Sequence, residues 1–276
     1  MKINRINSCV ISVTKFIFNI LWLIRVPIVS VSLFLLVDSF KLAGYSDLVL
    51  PCMSTMFMLF AGYIINDILD IDIDAVSAPK RPLPSGSISI IAAKIICISC
   101  LCLALLFAFL LGNLGFFLYI VVYAIMFWIY TKYLKSNWVI KNGVTAFFFS
   151  SMALIPAFFD ITLFSKLFLL FAVAFIFTFG REILMDVRDL DGDKIILKQK
   201  RLSKKISLCL STFLLLFSFL TMEIAYLSFS ILRYATAFFL CATFIICFKR
   251  RRKVWLCTEI VKILFLINLL FLLMEI

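Results

Sequence analysis

The sequence predicts an all-helical, polytopic membrane protein, and three observations carry that prediction. Of its 276 residues 64% are hydrophobic and 15% charged, whereas a water-soluble domain of this length is about half apolar and about a quarter charged. The apolar residues gather into runs of roughly twenty, the length a helix needs to cross a hydrocarbon core. The basic residues collect in alternate gaps between those runs, the pattern that sets orientation in a multi-span chain.

Nine runs qualify. The first, 16–37, follows Lys15 and contains a lone cation, Arg25, two residues before Pro27. The second, 47–69, ends in a group of carboxylates, and the third, 88–111, begins after a proline-rich link at 70–87. Only a turn at 112–115 separates it from the fourth, 113–131. The fifth, 139–159, follows Lys132 and Lys135, and the sixth, 163–185, runs into a second group of carboxylates. The seventh, 204–226, opens after a long polar link at 186–203. The eighth, 229–248, follows a turn, and the ninth, 254–274, follows the basic run Lys249 to Lys253. Nine spans consume about 180 residues, so the chain reads as a single intramembrane domain over 1–276 with no room for a separate soluble one.

With the N-terminus placed in the cytoplasm, 21 Lys and Arg fall on that side against Lys41, Lys166 and Arg233 on the other. An odd number of spans then puts the C-terminus on the opposite side. The first run is too long for a cleaved signal peptide and no small-residue cleavage site follows it. The Lys249–Lys253 run lies in a short link between spans, so attraction to anionic lipid explains it and nucleic acid is not an expected partner.

The absence of His excludes Ser-His-Asp and Cys-His catalysis and any His-ligated zinc or haem. The nine Cys read as small packing residues. Cys97 and Cys100 form a C-x-x-C inside a span, but no second pair completes a tetrahedral zinc site.

The carboxylates are the informative minority. Nine of the fifteen lie in or beside the two long cytoplasmic links. In the first group Asn66, Asp70 and Asp74 stand at i, i+4 and i+8, one oxygen-rich stripe of a helix, while Asp72 points elsewhere. In the second, Asp186, Asp189 and Asp193 stand at i, i+3 and i+7, one face if the helix persists to Gly192. Carboxylates stacked at this spacing near lipid repel one another unless cations join them. A solvated helix end explains one such group but not two, both on one side and both accompanied by Lys or Arg. Oxygen-only ligation favours Mg2+ or Ca2+, and Mg2+ commonly binds through few carboxylates plus substrate phosphates. An EF-hand is excluded because Asp189-Leu-Asp191-Gly192-Asp193 lacks the glycine at position six and the terminal Glu. Two such stripes facing each other would hold a diphosphate between metal ions.

These residues resemble the UbiA-type intramembrane prenyltransferases. Asn66-Asp67-x-x-Asp70-x-x-x-Asp74 followed by Arg81-Pro82-Leu-Pro84-Ser85-Gly86 is similar to that family's first motif and its loop. Asp186, Asp189 and Gly192-Asp193 are similar to its second motif, and Tyr130, Leu134, Lys135 and Asn142 to its pattern between the fourth and fifth helices. Arg181-Glu182 before Asp186-Val-Arg-Asp189 looks closer to the geranylgeranylglyceryl-phosphate and chlorophyll-type branches than to the hydroxybenzoate branch. One departure stands out: where many relatives continue with a Gly and then Thr-Leu-Pro, this chain runs Lys194 to Lys205 without it. A loop that caps the site and selects the acceptor is therefore expected to be shorter and differently built.

The resemblance implies nine transmembrane helices around a central cavity, with Asp-rich motifs on the cytoplasmic side. It implies Mg2+-dependent transfer of a prenyl group from a polyprenyl diphosphate to an aromatic, quinone-precursor or glycerol-phosphate acceptor. Asn66, Asp70, Asp74, Asp186, Asp189 and Asp193 are then the expected metal ligands. Arg81 and Lys135 are the expected catalytic contacts to the diphosphate, with Arg25, Lys80 and Lys194 as further contacts. Aromatic side chains, with Phe numbering 32, supply ring faces for a cationic prenyl fragment, although no individual Phe is assignable from sequence. Two other readings remain open: a cyclase of the same fold acting on the diphosphate alone, and a transporter, which places its carboxylates near the bilayer midplane instead of at span ends.

Overall fold

The computed structural model describes residues 14, 17–134, 137–196, 203–226 and 254–275. All regular structure among them is helical: α1 Val26–Ala43, α2 Val49–Leu69, α3 Ile71–Ser77, α4 Ile90–Leu110, α5 Leu114–Ile129, α6 Trp138–Ser151, α7 Phe164–Ile196, α8 Lys204–Tyr226 and α9 Val254–Glu275. Six stretches among the described residues are long and apolar enough to cross a membrane, namely Val49–Leu69, Ile90–Leu110, Leu114–Leu134, Trp138–Phe158, Ile161–Val187 and Lys205–Met222. The chain is a multi-pass integral membrane protein. The expected ninth run, 254–274, is helical as α9 without being among those six stretches, and the expected eighth, 229–248, lies outside the described residues.

Local chemistry sets the element ends. Gly112, at φ 72°, turns the chain between α4 and α5, and the Asn113 side chain then accepts from the Phe116 amide to start α5. Asn137 does the same for α6 through the amides of Val139 and Ile140, satisfying donors that a helix N-terminus leaves free. The expected first span differs. Its helix breaks at Ile24–Arg25 and resumes at Val26, continuing past residue 37 to Ala43. Pro27 falls in the first turn of α1, where its missing N–H is unneeded.

The chain divides into two compact units, Met1–Ser30 with Val49–Tyr133, and Val31–Leu48 with Leu134–Ile276. In the first, α2 packs on α4 and α5 around Leu23, Ala61, Ile64, Leu83, Ile88, Ala93 and Cys100. The residues that α4 buries are small, Ala93, Cys100, Ala104 and Ala108, as expected where lipid provides no hydrophobic drive and close packing must hold helices together. Ser54 donates to the Ala104 carbonyl at 2.8 Å across the α2–α4 contact. Where Gly62 faces α5, a Cβ would lie 2.9 Å from the Phe127 ring. The opposite face of α4 presents Ile91, Ile95, Ile98 and Phe109 outward, a surface suited to lipid.

In the second unit α7 is the central element, packed on α6, α8 and α9. Its core joins Leu170, Val173, Ala174 and Phe177 to Leu215, Phe219, Val261 and Phe265. Phe177 and Phe265 stack with ring centroids 3.7 Å apart. At Gly180 the α8 backbone comes close enough for the Ser211 hydroxyl to donate to the Gly180 carbonyl at 2.8 Å.

Candidate active site

The first carboxylate group straddles a joint. α2 ends at Leu69 and α3 begins at Ile71, yet the backbone bonds Asp70 N–H to Asn66 C=O (2.9 Å) and Asp74 N–H to Asp70 C=O (2.8 Å) carry the four-residue period across it. Asn66, Asp70 and Asp74 therefore keep one register, and the Asn66 amide donates to Asp70 Oδ2 at 3.0 Å. Asp72 is exposed, as its position in the period requires.

The loop after α3 delivers Arg81. Leu83 and Ile88 are buried in the core of the first unit, and Gly86 takes a left-handed φ of 70° that lets the chain turn between them. Bonds from Ser85 N–H to the Arg81 carbonyl and from Ile88 N–H to the Pro82 carbonyl close the loop. Arg81 Nη1 reaches Asp74 Oδ2 at 2.5 Å and lies 4.0 Å from Asp67 Oδ1. Burial raises the Asp74 carboxyl above its ordinary range, opposed by the hydrogen bond and charge of Arg81.

Arg25 occupies the break before α1 at φ 52°. A left-handed conformation costs a non-glycine residue roughly 1 kcal/mol or more. It directs the guanidinium onto α2, where Nη2 meets Asp67 Oδ1 at 2.5 Å and the group lies over the Tyr63 ring, 5.2 Å from its centroid. Lys80 is exposed.

The second group lies on α7, which continues to Ile196 and so carries the helix through Asp189, Gly192 and Asp193. The side chains of Asp189, Asp193 and Lys194 lie outside the described residues, as does Lys135. Asp186 is buried, at 8% exposure. Its Oδ2 accepts from the Asn142 amide at 2.8 Å, and Oδ1 pairs with the Lys141 ammonium. Asn142 is fully buried, and its own Oδ1 has no hydrogen-bond partner among the described residues. One turn earlier Arg181 pairs with Glu182 at 2.6 Å.

Among the described residues no group of three or more carboxylates or thiols converges as a ready-made metal cage. Asp67, Asp74 and Asp186 are neutralised by Arg25, Arg81 and Lys141. Within the first unit the donors nonetheless fit a hard divalent cation, since Asn66, Asp70 and Asp74 offer oxygen ligands in one register. Sequence reasoning missed the Asp67 pairing with Arg25 and the Lys141 pairing with Asp186. The signal for the first was present, since a lone cation inside an apolar span requires an anion. Cys52, Cys97, Cys100, Cys102 and Cys209 carry free thiols, and Cys97 donates to the Ala61 carbonyl in the α2–α4 contact, a packing role.

A family model described as "UbiA prenyltransferase family" matches residues 26–269. A protein of Methanococcus maripaludis strain S2 named digeranylgeranylglyceryl phosphate synthase is 30% identical over 202 residues, which is 70% of this chain and 69% of that one. A solved digeranylgeranylglyceryl phosphate synthase superposes with a TM-score of 0.64 at 26% identity, covering 94% of this chain and 98% of its own. A UbiA homologue from Archaeoglobus fulgidus, solved with GPP and Mg2+, shares the fold with a TM-score of 0.59 at 18% identity over 93% of this chain and 99% of its own.

Proposed function

The chain belongs to the UbiA prenyltransferase family, and from that premise we propose that it transfers a prenyl group from a polyprenyl diphosphate to a glycerol-phosphate lipid within the membrane. The observation that carries this reading is the unbroken register of Asn66, Asp70 and Asp74 across the α2–α3 joint, with Arg81 beside it. The acceptor follows from the relatives, which are named for a glyceryl phosphate bearing two geranylgeranyl groups. Geranylgeranyl diphosphate is accordingly the expected donor. Aromatic and quinone-precursor acceptors are the runner-up, and the segment after Asp193, whose sequence lacks the Thr-Leu-Pro of many relatives, is where acceptor choice would differ.

Asn66, Asp70, Asp74, Asp186, Asp189 and Asp193 are the residues that would hold Mg2+. When bound, the ion supplies Lewis-acid neutralisation of the departing diphosphate. Arg81 and Lys135, with Arg25, Lys80 and Lys194 as further contacts, bind and orient the diphosphate oxygens. In the reaction the allylic C–O bond breaks, the electron pair leaves on the diphosphate, and the acceptor hydroxyl forms the new C–O bond while releasing its proton. Protein surrounding the allylic carbon excludes water, whose attack would hydrolyse the donor. The N-terminus and both carboxylate-bearing links face the cytoplasm, the C-terminus faces the other side, and residues 1–276 act as one intramembrane domain.

Membranes containing the chain, supplied with labelled geranylgeranyl diphosphate, geranylgeranylglyceryl phosphate and Mg2+, should yield a doubly prenylated lipid that is absent with Asp70→Ala and with Asp186→Ala. Product persisting in both variants overturns the reading. A cyclised hydrocarbon from donor alone decides for the cyclase, and flux of donor across proteoliposomes without chemical change decides for a transporter.

A further inference from the structure

Asp67 lies inside the first motif but is engaged differently from the residues around it. Its Oδ1 is the meeting point of two guanidiniums, Arg25 at 2.5 Å and Arg81 at 4.0 Å. The carboxylate is 4% exposed, so these groups, more than water, neutralise it. Arg25 is held on two successive turns of α2, by the Tyr63 ring and by Asp67 four residues on. Arg81 is held from its other side by Asp74 at 2.5 Å. Arg25 reaches this place only through a left-handed backbone at φ 52°, a conformation the surrounding structure must stabilise.

Two guanidiniums against two buried carboxylates, Asp67 and Asp74, balance in charge and fix the geometry of Arg25 and Arg81 before any ligand arrives. Long arginine side chains without such an anchor lose freedom on binding an anion, and that loss weakens binding. Resting on the transferase reading, we propose that Asp67 is a positioning residue: it presets Arg25 and Arg81 for the donor's diphosphate and is not itself a ligand of the metal.

The competing roles of Asp67 predict effects of different sign. As a bystander its negative charge repels an incoming diphosphate, so neutralising it tightens anion binding. As a metal ligand its loss weakens divalent-cation binding in the absence of donor. As a positioning residue its loss weakens diphosphate binding and spares the cation.

The test uses the full chain in lipid nanodiscs, with geranyl diphosphate and Mg2+ as the donor probe and Mn2+ resonance without donor as the cation probe. For Asp67→Asn we expect the geranyl diphosphate Kd to rise about tenfold or more while the Mn2+ Kd stays within about twofold. Asp67→Glu should recover most of the donor affinity. In an Arg25→Gln background, Asp67→Asn should add less than about twofold, because the two residues act through one another. Unchanged or tighter donor binding in Asp67→Asn, lost Mn2+ binding, or strictly additive effects overturn the inference. Should Asp67→Asn fail to insert or fold, the same cycle is read with Asp67→Ser and Arg25→Gln, and additivity there overturns it equally. A wild-type chain that does not bind geranyl diphosphate with Mg2+ overturns the transferase reading itself, an outcome separate from wild-type binding with Asp67→Asn unaffected.

Discussion

Asn142 donates its side-chain amide to Asp186 at 2.8 Å, and so ties a fully buried residue of α6 to the carboxylate at the start of the second motif on α7. Lys141, its neighbour in sequence, takes the other carboxylate oxygen. Together they hold both Asp186 oxygens in a defined orientation before any substrate binds.

Replacing Asn142 with Leu leaves an oxygen of buried Asp186 without its donor. The expected cost is about 1–3 kcal/mol of stability, read as a lower unfolding temperature in detergent. Prenyl transfer should fall further than stability does, because Asp186 is released to turn toward Lys141. Transfer that survives at wild-type rates in a destabilised Asn142→Leu would show that the orientation of Asp186 is irrelevant to the reaction.

Arg81 is the cation whose position the loop after α3 is built to fix. Arg81→Gln is expected to lower kcat/KM for the donor by about 10²–10³, the usual effect of removing one preorganised charge contact to a transition state. Arg81→Lys should recover only part of this, since an ammonium does not reproduce the planar fork. Steady-state kinetics across donor concentrations distinguish the two variants. Equal activity of Lys and Arg here would mean that only charge matters.

Removal of divalent cations with a chelator should abolish transfer, and readdition of Mg2+ or Mn2+ should restore it. Zn2+ should restore little, because the available donors are carboxylate and amide oxygens without thiolate or imidazole. Full activity in excess chelator would remove the metal from the mechanism.

Helix packing offers a contrast free of chemistry. At Gly180 a Cβ would lie 3.0 Å from the Leu214 Cβ and 3.3 Å from the Ser211 carbonyl oxygen. Gly180→Val must push α7 and α8 apart, at an expected cost of about 1–3 kcal/mol. Ser54→Ala loses the 2.8 Å bond to the Ala104 carbonyl, yet interhelical bonds of this kind are worth only about 0.6 kcal/mol in a membrane. Unfolding of both variants in the same detergent should rank Gly180→Val well below Ser54→Ala.

Class, the positions of six spans and the spacing of the acidic residues were determined by the sequence alone, because each depends on interactions within one helix or on transfer of one helix into lipid. The run of apolar residues marks a span whatever packs against it, and the four-residue period of Asn66, Asp70 and Asp74 holds wherever the backbone is helical, even across the joint at Asp70. The persistence of α7 through Gly192 to Ile196 is of the same local kind. Tertiary structure alone decided which cation answers which carboxylate. Arg25 and Asp67 are 42 residues apart and Lys141 and Asp186 are 45 apart, and no period in the sequence links them. Those pairings arise where helices pack side by side, and at Arg25 they further depend on a left-handed backbone break that turns the side chain toward α2. Long-range pairing follows from packing between elements, and that is why Asp67 reads from sequence as one more acid in a motif and from the structure as the anchor of two arginines.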